Sequence, residues 1–259
     1  MSYIGTDDYF AKVARGEITG HTAINKYGRN PDIDTADAGT HGTDVWDGGI
    51  AGATLWLPPT TARAHNIVSS DDEDGGAGTD TGALTIRIFG LDAAYALQQQ
   101  DITMNGTTIV DTVTTYTMIY RMYVLTAGSA DKNLGTITAT AATDGTVTAQ
   151  IAIINCQTAM AIFQIPAATT GNLWSFYGSI HKAGGAAKLA DMILMIKEFG
   201  GVWRLQDSFD VSSDGMPYVR HRYSTPIQLP AKSYVKVIGN PSVDEQDVSA
   251  GFDMVCVAD

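Results

Sequence analysis

Thr136–Ile151 reads TITATAATDGTVTAQI. Two runs in which threonine alternates with small or apolar residues flank Asp144-Gly145, and that pattern predicts a β-hairpin. Strands alternate their side chains with period two, so one face of each run can be buried while the other meets water. The same pattern extends toward the N-terminus through ATLWLP, HNIVSS, ALTIRIFGLD, DITMNGTTIV and TMIYRMYVLTAG, with Gly, Asn and Asp turns between them. In LTIRIFG, Leu84, Ile86 and Ile88 share one face and Thr85 and Arg87 the other. Six or seven short strands in about a hundred residues predict a β-sandwich over 45–152.

A second block, over 153–259, carries MAIFQIPA, LWSFYGSIHKA, DMILMIKEFGGVWRLQDSF, YVRHRYSTPIQLPAKSYVKVIG and AGFDMVCVAD. DMILMIKEF fits a helix as well as a buried strand, but its nine residues stop at Gly200-Gly201 before VWRLQ, which favours a hairpin. Pro226 and Pro230 lack ladder donors and mark loops or edges. The reading is an all-β chain whose second domain is also a sandwich or jelly roll.

Residues 1–44 read differently. TDDYFAKVARGE predicts one short helix, capped by Thr6 or Asp7 and stopped near Gly16. The following GHTAINKYGRNPDIDTADAGTHGTD has no apolar period, which predicts an extended N-terminal arm lying on a neighbour, or else a disordered tail.

The net charge is −12, from 28 acidic and 16 basic residues, and this argues against a nucleic-acid partner. The two cysteines, Cys156 and Cys256, sit in apolar contexts and read as buried thiols rather than a disulfide framework. No basic head precedes an apolar run at the N-terminus, and no apolar stretch approaches the roughly 18 residues of a membrane span. The expectation is a soluble protein made in the cytoplasm, with no membrane partner.

SDDEDGGAGTDTG (70–82) raises two chemical possibilities. With Gly75 at the sixth position of a calcium loop, the bidentate glutamate and the flanking helices are missing. Asp80-Thr81-Gly82 matches an aspartic protease tripeptide, but no second copy exists and the preceding GGAGT is not an apolar strand. The regular calcium loop and the protease both fail. An irregular calcium site on Asp71, Asp72, Asp74 and Asp80 stays open beside the favoured reading, in which Asp71, Asp72, Glu73 and Asp74 are exposed turn residues. His21, His41, His65, His181 and His221 are scattered and read as surface or turn residues. Arg220-His221-Arg222 with Lys232 and Lys236 makes the main basic cluster, read as partner contact or solvated surface. With no P-loop, dinucleotide glycine fingerprint or nucleophile elbow, no cofactor, metal or catalytic residue is expected and the chain is read as non-enzymatic.

KYGRNPDIDTADAGTHGTDVWDGG (26–49) resembles a family of tailed-bacteriophage virion structural proteins, in which an Asn-x-Asp arm precedes an Asp-x-Trp-Asp-Gly-Gly entry into β structure. The resemblance continues through TGALTIRIFGLDAAY, ITMNGTT, YRMYVLTAGSADKNLGTITAT, QTAMAIFQIPA, KEFGGVWRLQD and VSAGFDMVCVAD. It implies a capsid decoration (cement) protein on the outer head shell, bound to the major capsid protein and to copies of itself as a homotrimer. A tail, neck or fibre-base protein is the alternative, and a carbohydrate-binding host-attachment module, stacking sugar on Trp56, Trp174 or Trp203, is a third. Tyr9, Phe10, Lys26, Tyr27, Arg29 and Asn30 are the expected partner contacts, with Trp46 packing the root of the arm.

Overall fold

The computed structural model describes residues 6–35, 42–48, 55–181 and 188–259. Among these, the one α-helix is α1, Thr6–Ala14. Gly16 ends it at φ +72°, where Gly16 N–H donates to Val13 O and Glu17 N–H to Lys12 O. That pair of bonds satisfies the last carbonyls and needs a left-handed residue, which glycine supplies.

The rest is antiparallel β structure. β1 (His21–Ile33) and β2 (Thr43–Asp44) come first. β3 (His65–Ser69), β4 (Ala83–Leu91), β5 (Leu97–Thr103), β6 (Val110–Asp111), β7 (Met118–Ala127), β8 (Ile137–Ala141) and β9 (Thr146–Ile151) follow. Then come β10 (Ile162–Gln164), β11 (Thr169–Ile180), β12 (Leu189–Lys197) and β13 (Arg204–Ser212). β14 (Tyr218–Leu229), β15 (Tyr234–Pro241) and β16 (Gln246–Ala258) complete the order.

Two sheets, β1-β16-β11-β14 and β10-β15-β12-β13 with β2 added to β15, enclose one core. Phe163, Phe176, Met192, Leu194, Val237 and Phe252 fill it, and Phe209 packs on Phe176 at 4.5 Å between ring centres. Two smaller sheets, β6-β3-β8-β9 and β5-β4-β7, enclose a second core of Ile67, Ile86, Ile88, Tyr116, Met122 and Ile137. The expected hairpin is present: Gly145, at φ +68°, returns β8 to β9 and donates its N–H to Ala141 O. So is the second one. Gly201 N–H donates to Glu198 O while Gly200 takes φ +74°, joining β12 to β13.

The first of the two cores draws strands from both ends of the chain. β1 and β2 join β10–β16, so the β3–β9 module is an insertion between β2 and β10. This corrects the reading of residues 1–44 as an arm. His21 pairs with Val257 and the register runs to Ile33 opposite Gln246, so His21–Ile33 is an integral strand. Its burial does alternate, but the inward residues are Lys26, Gly28, Asn30 and Ile33. A period carried by a lysine, a glycine and an asparagine leaves no apolar signature. At Gly28 a Cβ would lie 2.3 Å from both Ala161 N and Val45 O, so only glycine permits that approach.

A third cluster welds the modules. Trp46 and Trp56 pack with Met118 from the insertion and with Met160 and Ile162 leading into β10. Beneath them Lys236 Nζ lies 2.6 Å from Asp44 Oδ1, and Asp44 Oδ2 accepts the Trp56 N–H. Burial is the main influence on Asp44 and raises its pKa, with Lys236 opposing.

Candidate partner-binding surfaces

Period-two alternation divides the expected contact residues of β1. Tyr27 and Arg29 face outward, Tyr27 with its hydroxyl on Ser249 Oγ and Arg29 in a two-point ion pair with Asp247. Lys26 and Asn30 face inward and are buried, Asn30 donating to Asp44 O and accepting from Asp32 N–H. Trp46 is fully buried in the junction. Asn30 and Trp46 are committed inside the chain, whereas Lys26, though buried, borders a cleft. Tyr9 and Phe10 lie on α1, half-buried against His21 and Trp174, with Phe10 edge-on to the indole at 5.2 Å.

Lys26 reaches into a cleft of about 430 Å³ between β1 and the inserted module, lined also by Ala23, Asn25, Phe89, Tyr120 and Arg121. Its ammonium donates to Tyr120 O at 2.5 Å. Burial, then the nearby Arg121 charge, lower its pKa to about 7. Asp47 is buried nearby. Its Oδ2 accepts the Ala159 and Ala152 N–H groups, and burial pushes its pKa up to about 7. Because the folded pKa of Lys26 is below its unfolded value, folding releases its proton between about pH 7 and 10.5. The lysine therefore burdens the fold below that window and ceases to above it. Lys26→Met is expected to stabilise the protein at pH 6–7 by on the order of a few kcal/mol. The gain should shrink to nothing by about pH 11, as read from urea unfolding at several pH values.

A second surface straddles both modules. Phe199, 57% exposed, and Val202, 73% exposed, sit at the β12–β13 turn, with Leu205 following. Tyr95 of the insertion meets the Phe199 ring edge-on at 5.6 Å, and Lys232 Nζ lies 4.7 Å and 5.0 Å from the two ring centres. The basic cluster expected from the sequence is dispersed in space. Lys232 is on these rings, Lys236 is buried with Asp44, His221 faces Asp207, and Arg220 pairs with Asp253. Arg222 stays exposed on β14.

A third feature is a pocket of about 640 Å³ under α1, lined by Phe10, Trp174, Arg220, Arg222, Tyr223 and Asp253. A bulge shared by β11 with both neighbours, between Leu173 and Ser175, sets Trp174 out of register and brings it to this pocket.

The 70–82 loop differs from expectation at one residue. Asp72 and Glu73 are exposed and Asp71 is partly so, but Asp74 is fully buried. Its Oδ1 accepts the Ala83 and Leu134 N–H groups at 2.7 and 2.8 Å. Its Oδ2 accepts Ser69 Oγ–H at 2.6 Å and Gly135 N–H at 2.8 Å. The glycine of the protease-like tripeptide has a steric reason, since a Cβ on Gly82 would lie 2.2 Å from Asp74 Oδ1. His65 also departs from the surface reading: it is buried beside Tyr116, and burial lowers its pKa to about 4. Cys256 is a buried free thiol, and Cys156 is free but only partly buried. His41 lies outside the described residues. Among the described residues no three His, Cys, Asp or Glu side chains converge as metal ligands, and no helix is long and apolar enough to cross a membrane.

No family model and no curated protein matches the chain. Among solved structures it is similar to the VP2 subviral particle of infectious bursal disease virus, at TM-score 0.23 and 11% identity, over 93% of this chain and 72% of that one. A structure of T=1 particles derived from infectious bursal virus matches at TM-score 0.22 and 10% identity, over 92% and 70%. Likenesses this weak carry no argument about fold or function.

Proposed function

We propose that the chain is a non-enzymatic virion structural protein of the tailed-phage kind, a homotrimeric decoration protein that binds the major capsid protein on the outer shell. Two β-sandwich modules welded through Trp46 and Trp56 would serve as a stiff brace between capsid subunits. The resemblance at 26–49 is what supports that family. The observation that carries a contact role is the apolar tip of Phe199, Val202 and Leu205, set beside Tyr95 of the other module. Large apolar groups grouped at a surface mark contacts more often than solvated faces. Binding to assembled shells alone would stabilise them by mass action.

The test is co-sedimentation with empty shells. Phe199→Asp combined with Val202→Asp is expected to weaken attachment at least tenfold while circular dichroism stays unchanged, because both side chains are exposed. Attachment equal to wild type would remove the tip from the contact. Stoichiometry in purified particles separates this reading from a tail, neck or fibre-base role: hundreds of copies for decoration, about a dozen or fewer otherwise.

One observation favours a second reading, a carbohydrate-binding attachment module. The pocket under α1 sets Trp174 and Tyr223 beside Arg220, Arg222 and Asp253, an apolar wall with polar groups at its rim. Glycan-array binding lost in Trp174→Ala would support it.

A further inference from the structure

The cleft beside β1 lies where one segment changes partners. Met160 N–H donates to Tyr27 O and Arg29 N–H to Ala159 O, so residues 159–160 cover that stretch of β1. Just before them the segment leaves: Thr158 N–H donates to Met122 O and Gln157 bridges Tyr123, both on β7. Among the described residues, Ala23 and Asn25 have no backbone hydrogen-bond partner on that side.

Backbone direction follows by alternation. In an antiparallel pair, successive residues turn their N–H and C=O groups toward and away from the partner. Tyr27 and Arg29 turn theirs away from β16, while Gly20 O accepts Ala258 N–H on the β16 side. Odd-numbered residues therefore face outward, and Ala23 and Asn25 present two N–H and two C=O groups to the cleft. The open edge spans one ladder repeat, about 7 Å.

Charge narrows the occupant. Among the described residues Lys26 and Arg121 line the cleft and no carboxylate does, on a chain of net charge −12. Arg121 donates to Gln157 Oε1 at 3.3 Å and lies over the Tyr123 ring, and among the described residues it has no acidic partner. Phe89 and Tyr120 supply apolar walls.

We propose that this cleft binds an extended peptide segment of a partner protein, which pairs as an added strand with Ala23 and Asn25 and sets an Asp or Glu side chain against Arg121 and Lys26. Main-chain pairing supplies affinity, and the carboxylate with the two cations fixes register. The site is independent of the apolar tip, and its test needs no particles.

The probe is an array of immobilised decapeptides of randomised sequence, exposed to the full chain. Bound peptides should be enriched in Asp or Glu at one position and depleted in Pro at alternate positions. Arg121→Glu, a change at an exposed residue, should weaken binding at least tenfold, with Arg121→Ser as a milder second variant. By amide hydrogen exchange, Ala23 and Asn25 should exchange faster than Ile24 and Lys26 in the free protein and slow when the best peptide is added. An array without binders, a preference for basic peptides, or binding indifferent to both Arg121 variants would overturn the proposal. So would protection of Ala23 and Asn25 that rises with protein concentration alone, which would place a second copy of this chain in the cleft.

Discussion

Asp74→Asn is expected to lower the stability of the inserted module by about 3–5 kcal/mol. The carboxylate has four donors on two oxygens, three of them backbone N–H groups from two separate segments. An asparagine keeps one acceptor oxygen and turns an NH₂ toward the remaining donors. Ser69 can rotate its hydroxyl to accept, but a backbone N–H cannot, so at least one buried donor is left without a partner. Asp72→Asn, two residues earlier and exposed, should change stability by less than about 0.5 kcal/mol. Calorimetry of both variants checks the contrast. Equal transitions would show that the four bonds contribute nothing net.

Deleting residues 1–40 is expected to be more severe, leaving the β10–β16 module unable to fold and the protein insoluble. The deletion strips β16 of a partner along its length from Gln246 to Val257, and uncovers Val45 and Ala161, which pack around Gly28. An exposed edge of that length invites pairing between chains. Solubility and circular dichroism of the truncated chain decide it. A soluble, fully β product would mean that β1 adds little to the sheet.

That expectation reverses what the sequence suggests, and the reason lies in three residues. A strand is recognised by apolar alternation, whereas the inward positions of β1 hold Lys26, Gly28 and Asn30, chosen by a carbonyl on Tyr120, a close backbone approach and a carbonyl on Asp44. None of these partners is near in sequence. Asp74 was hidden in the same way: an acidic run looks solvated until Leu134 and Gly135 arrive from sixty residues away. Local chemistry was readable where local chemistry decides. The Gly16 stop, the Asp144-Gly145 return and the Gly200-Gly201 turn follow from glycine's access to positive φ. Pro226 was also informative, since it sits in the unpaired part of β14, the last strand of its sheet. The apolar tip left a partial trace: EFGGVW (198–203) predicts the turn, but exposure of Phe199 and Val202 depends on how the sheets stack.

The placement of β16 sets an order on synthesis. It lies between β1 and β11 and emerges from the ribosome after both, so neither can complete its pairing until the sequence between them has been made. The inserted module, whose strands all pair among themselves, is finished earlier and can fold while β1 waits. For the time needed to translate some two hundred residues, β1 is an unpaired strand tethered to a folded neighbour. A lysine, a glycine and an asparagine on its inward face would make that wait safer than three valines would, because a polar strand is a poor template for aggregation. The residues that conceal β1 from a sequence reader would conceal it equally from other nascent chains.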